Sequence, residues 1–222
     1  MSNKKKILRQ YRKDAVAPVG KLVFSTLFPN AYNLVDTFME THRAQKKECF
    51  FEFLAGVAID ANTNTFSPEY IKKLQDELLD KENDQIISNI LDSVFFSTNA
   101  TCRLLLGVIA RMYLDNDELG YADLILVIAL KELLDDDLLA FKLFYAMEPV
   151  TSNMGDEICI LDNYSMSQRI TLEKLQNLNI LGKDLSGARF GGGSLRFEKT
   201  TVSDILMEYL KIVELALDNN SK

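Results

Sequence analysis

From residue 33 onward the apolar positions fall mostly three and four apart, the period of a helix that buries one face. Asn33 to Ile59 carries Leu34, Phe38, Phe50, Phe51, Phe53, Leu54 and Val57 around a polar centre from His42 to Glu48. Ser67-Pro68-Glu69 then supplies an N-cap, a proline at the first helical position and an early acid. It opens a predicted helix from Pro68 to Leu79, and Asp84 to Phe96 repeats the pattern with Ile86, Ile87, Ile90, Leu91 and Val94. Asn99 to Leu114 is apolar on most sides, which predicts a buried helix, and Leu119 to Leu134 is another strongly apolar helix. The run Leu124 to Ile128 alone suits a buried strand, but its flanks Ala122, Ala129, Leu130, Lys131 and Glu132 continue it as helix. Asp135-Asp136-Asp137 opens a further helix to Met147, because acids suit the positive end of the helix dipole, and Pro149 stops it.

Val150 to Ser165 reads as loop, with Ile158, Ile160 and Leu161 reaching the core. Beyond it the texture changes. Gln168 to Ile180 is a short helix with Ile170, Leu172, Leu175 and Leu178 directed inward, closed by Gly182 as its C′ residue. Leu185 to Phe190 and Ser194 to Phe197 read as two strands joined by Gly191-Gly192-Gly193. In the second, Leu195 and Phe197 take one face while Arg196 and Glu198 take the other. Thr200 to Leu217 is a final amphipathic helix through Ile205, Leu206, Tyr209, Leu210 and Val213. The prediction is a mainly α fold: a basic and apolar N-terminal segment (1–30), a bundle-like acidic helical body (31–164) and a small winged-helix-like unit with a short β-hairpin (165–222).

Composition supports a folded chain rather than a disordered one: 222 residues, 47 % of them hydrophobic. Charge adds more to the picture than composition does. Residues 1–21 hold seven Lys/Arg against one acid, residues 52–164 seven against twenty-one, and residues 165–200 six against three. The net charge of −7 therefore conceals a basic head, a strongly acidic middle and a mildly basic tail segment, an asymmetry that bears on partners rather than on fold.

Candidate chemistry is sparse. Cys49, Cys102 and Cys159 are odd in number and about fifty residues apart, with no C-x-x-C pair and a single histidine, His42, so neither a disulfide framework nor a zinc site is expected. The simplest reading is a reduced, cytoplasmic chain in which Cys102 is a small buried hydrophobe. No G-x-S-x-G elbow is present, and His42 lies in a polar helical stretch, so no nucleophile–base pair suggests itself and no enzyme activity is expected. Asp115, Asp117 and Glu118 resemble half of a calcium loop but lack its central glycine and distant glutamate. Gly191 to Gly193 precede no G-K-[ST] and read as a wing tip, not a phosphate loop. No metal, cofactor or small-molecule substrate is expected.

Two surfaces suit partners of other kinds. As a recognition helix, Gln168 to Ile180 would present Arg169, Gln176 and Asn177 to base edges, with Arg189 and Arg196 flanking the wing at phosphates. Glu173 on the same helix and the acidic body behind it oppose that reading, since DNA affinity grows with the number of phosphates neutralised. Lys4, Lys5, Lys6, Arg9, Arg12 and Lys13, followed by Leu22, Val23, Phe24, Leu27 and Phe28, suit an anionic membrane surface. Pro18, Gly20 and Lys21 interrupt the apolar stretch, so neither a signal peptide nor a membrane span is expected there.

The order of parts is a basic head, then Pro18-Val19-Gly20, then Phe50-Phe51-Glu52-Phe53-Leu54, an acidic helical body, and a tail with Leu175, Leu178, Ile180, Leu181, Gly191 to Gly193 and Thr200-Thr201. It resembles that of bacterial and prophage-encoded helical proteins, among them the Abi-alpha type linked to abortive infection. The resemblance spans most of the chain and implies a bacterial cytoplasmic protein engaged in phage–host conflict, with no catalytic residues. The leading expectation is a non-enzymatic interaction protein, in defence or regulation, that acts on a protein partner or on further copies of itself. A DNA-binding regulator and a membrane-associated effector are the alternatives.

Overall fold

The structure, a computed structural model, describes residues 44–60, 63, 65–67, 69–79, 84–151, 157–161, 165–183 and 195–219. The basic head, His42, Arg189 and the glycines 191–193 lie outside the described residues. Among those described there are eight helices: α1 (Ala44–Ala58), α2 (Glu69–Leu79), α3 (Asp84–Phe96), α4 (Ala100–Asn116), α5 (Tyr121–Ala129), α6 (Asp135–Tyr145), α7 (Met166–Asn177) and α8 (Thr201–Asn219). The short pair β1 (Ile59–Asp60) and β2 (Thr65–Phe66) joins α1 to α2. A second sheet, in the order β3-β4-β6-β5, combines Val150–Thr151, Glu157–Leu161, Leu195–Lys199 and Leu181–Lys183, all antiparallel. The fold is mainly helical, and α7, β5, β6 and α8 follow the winged-helix-like order expected at the C-terminal end.

At the centre lies α4. Asn99 caps its start, its Oδ1 accepting from the N–H groups of Thr101 (2.8 Å) and Cys102 (3.4 Å). Asp117 ends it in the left-handed conformation with φ 57°. Cys102, Leu104 to Leu106 and Val108 to Ala110 are all buried, as the all-round apolar pattern required. Its main neighbour is α1, which turns Phe50, Phe53, Leu54 and Val57 inward. The two helices cross where Gly56 meets Gly107. A Cβ on Gly107 would lie 2.2 Å from the Phe53 carbonyl oxygen, so only glycine permits this approach.

Two arginines of α4 tie the helices together. Arg103 is buried against Glu52 of α1 and donates through Nη1 to the Ser97 carbonyl oxygen (2.7 Å) just beyond α3. Arg111 lies flat over the Tyr70 ring (3.9 Å) and faces Asp60 (3.4 Å) and Asp115 (3.6 Å), linking α2 and β1 to the same helix. Asp115 also faces Lys73 at 3.4 Å, so this acidic stretch serves as an anchor for cationic side chains.

The final helix, α8, packs Val202, Leu206, Tyr209, Leu210, Val213 and Ala216 inward. One buried hydrophobic cluster runs unbroken from Phe50 to Ala216. The Tyr209 hydroxyl donates to Asp123 (2.7 Å), whose other oxygen accepts from the Gly120 N–H (3.2 Å) at the start of α5. Burial, then this carboxylate, push the Tyr209 phenol far above its ordinary pKa, so it remains a donor at every working pH. Tyr209→Phe is expected to cost about 1–2 kcal/mol, because it removes one of the donors to the half-buried Asp123 carboxylate. Chemical denaturation checks this: an unchanged midpoint would show that water replaces the hydroxyl.

Three expectations are corrected. Val150 to Ser165 is not all loop: Ile158, Cys159, Ile160 and Leu161 pair with β6, and Cys159 sits opposite Phe197 in the core. The partner of β6 on its other side is Leu181–Lys183, so Gly182 lies in a strand and does not close α7. That role falls to Asn179, left-handed at φ 59°. Its N–H reaches the Gln176 oxygen and the Ile180 N–H reaches the Leu175 oxygen, both at 2.9 Å, while Ile180 and Leu175 are buried together. Finally, the helix predicted from Leu119 to Leu134 is shorter. It stops at Ala129, and Leu130 to Glu132 form a turn.

Candidate interaction surface

The most unusual feature of the described surface is apolar and belongs to α5 and α7. Helix α5 is strongly hydrophobic, but it buries only one side, through Ala122, Leu126, Val127 and Ala129. Its other side presents Tyr121 (80 % exposed), Leu124 (46 %) and Ile128 (61 %), spaced as one helical row. On α7, Leu172 and Leu175 are buried, whereas Met166 (69 %) and Ile170 (59 %) stand in solvent one turn apart. Ile170 therefore corrects the expectation that it faces the core.

Ile128 and Ile170 share an open groove of about 640 Å³, lined also by Leu178, Lys131, Glu132 and Glu173. The scaffold under the groove is firmly held. Ser165 and Gln168 close a reciprocal capping box at the start of α7 (3.2 and 2.8 Å). Lys174 donates to Asp137 and to the Glu132 carbonyl oxygen, both at 2.6 Å, and Asp137 also accepts from the Leu134 N–H at 2.9 Å. Asp137 is buried, so this node joins α7, α6 and the end of α5 into one rigid edge.

The structure describes four of the five residues proposed for DNA. Arg169 is exposed but pairs with Glu173 on the next turn at 2.7 Å. Gln176 is half-buried, and Asn177 is exposed and lines the groove. Arg196 projects from β6, opposite Ile160 in the sheet register. A helix-turn-helix reader presents its second helix from a first one joined by a short turn. Here only residues 162–164 separate β4 from the Ser165 cap, so α7 follows a strand. Arg189 lies outside the described residues, as do Lys4, Lys5, Lys6, Arg9, Arg12 and Lys13 of the candidate membrane surface.

No described helix is long and apolar enough to cross a membrane. Among the described residues no cluster of three or more His, Cys, Asp or Glu could hold a metal ion. Burial pushes the thiols of Cys102 and Cys49 up from their ordinary pKa, which leaves little thiolate at neutral pH. The apolar row on α5 was legible only as hydrophobicity. A nine-residue helix with seven aliphatic or alanine positions and one tyrosine carries more apolar surface than a single buried face can use. No protein-family model, curated protein or solved structure matches the chain.

Proposed function

We propose that this chain is a non-enzymatic interaction protein that acts by binding another protein surface through the exposed face of α5 and α7. The observation that carries the reading is the exposure of Tyr121, Leu124 and Ile128 on α5 and of Met166 and Ile170 on α7, with Ile128 and Ile170 lining one groove. Exposed apolar surface of this extent, rimmed by charge, marks contact sites on folded proteins. The rigid support beneath it adds to the argument, because a preorganised face loses little freedom on binding. A role in phage–host conflict rests on the resemblance of the sequence alone, and it places the partner in a bacterial cytoplasm.

Photo-crosslinking in cells tests the reading. A benzoylphenylalanine placed at Tyr121, Ile128 or Ile170 is expected to give discrete protein adducts. The same probe at Glu208 or Lys211, on the exposed side of α8, is expected to give none. Absence of adducts at all three apolar positions would overturn the assignment of this face.

A further inference from the structure

We infer that the occupant of the α5–α7 face is a second copy of this chain, related by a two-fold axis. The inference rests on the reading of this face as a protein-contact surface and names its partner. Two observations carry it, size and charge. The five exposed apolar side chains present on the order of 500 Å², more than half of the roughly 800 Å² per partner of a stable interface. The rim itself is self-complementary. Lys131 and Glu132 stand side by side at the edge of the groove. Among the described residues neither side chain has an ion-pair partner. The other rim charges are already matched, Arg169 with Glu173 and Lys174 with Asp137.

A purely basic or purely acidic partner would satisfy one of the two open charges and repel the other. A two-fold copy satisfies both. In an isologous contact, residue i meets j and j meets i, so Lys131 of each molecule faces Glu132 of the other. The apolar rows then cover one another: Ile128 and Ile170 lie closest to the charged pair, and Tyr121 and Met166 lie towards the outer parts of the face. Aromatic and methionine side chains are the types enriched at such contacts.

Symmetry makes the test sharp, because each substitution acts twice per dimer. Sedimentation equilibrium of the full purified chain is expected to show a concentration-dependent dimer that Ile128→Glu abolishes, with the helical circular dichroism spectrum unchanged. Lys131→Glu places two carboxylates together in both symmetry-related contacts, and Glu132→Lys does the same with two ammonium groups. Either is expected to raise the dissociation constant at least about tenfold at low salt. The double swap, Lys131→Glu with Glu132→Lys, restores opposite charges at both contacts and should return the constant to within about threefold of the original. A wild-type chain that stays monomeric at the highest concentration overturns the inference, as does a double swap no tighter than the single variants. Photo-adducts to a different protein, combined with a monomeric purified chain, would leave the contact surface standing and remove the second copy.

Discussion

Gly107→Ala is expected to abolish the folded state or to lower its stability by at least about 4 kcal/mol. The new Cβ would stand 2.2 Å from the Phe53 carbonyl oxygen and 2.7 Å from both the Gly56 Cα and the Val57 nitrogen. All three are backbone atoms of α1, so no rotamer change relieves the clash. The helices must part until 2.2 Å becomes at least 3.4 Å, and the buried side chains on either side of the crossing, Phe50, Phe53 and Leu104 among them, separate with them. Close-packed interiors do not absorb such a shift locally. Gly120→Ala is the control. There the nearest atom is the Asp123 carboxylate, 3.2 Å away on a side chain that can turn, and the expected loss is about 1 kcal/mol or less. Thermal unfolding of the two variants decides the matter. A Gly107→Ala melting point within about 3 °C of the original would mean that the α1–α4 approach is looser than described.

Neither Gly56 nor Gly107 could be singled out in the sequence, because each sits inside a helical pattern and the cause of its presence lies on another helix. What was legible shared a different character. Asp84–Phe96 matches its predicted bounds, and α2, α4 and α8 fall within two residues of theirs, because each has a cap or a strongly one-sided pattern. The failures came where local rules offered two answers. Gly182 satisfied the usual preference for glycine after a helix, but Asn179 tolerates the same left-handed backbone three residues earlier, where the buried Ile180–Leu175 contact demands it. The strand Glu157–Leu161 is short, and its pairing partner Leu195–Lys199 lies nearly forty residues away, a contact no local pattern reveals. Ile170 obeyed helical spacing and still points outward, since period alone fixes which residues share a face, not whether that face is covered.

The buried pair Glu52–Arg103 should respond asymmetrically to the loss of its two members, and pH should expose the difference. Burial raises the Glu52 carboxyl above its ordinary range even though Arg103 bonds to it. Desolvation therefore outweighs the attraction, the outcome expected for many buried ion pairs. The raised folded value means that the folded chain holds this proton more tightly than the unfolded one. The associated stability is complete below the unfolded carboxyl pKa and is lost as pH rises through the folded one. Arg103→Met leaves Glu52 charged and unpartnered at neutral pH and also removes the donor to the Ser97 carbonyl. It is expected to cost about 3–5 kcal/mol there, and distinctly less at acid pH, where Glu52 takes up its proton. Glu52→Gln keeps a polar partner for the guanidinium without the buried negative charge, so its cost should fall well below that of Arg103→Met. Glu52→Leu combined with Arg103→Met removes both charges from this largely buried place, and should recover most of the loss or exceed the original stability. Denaturant titrations at acid and neutral pH supply the readout. If the double variant proves no more stable than Arg103→Met alone, the pair holds α1 to α4 through its charges. Recovery would show instead that apolar packing around the glycine crossing holds the two helices, with the ion pair tolerated between them.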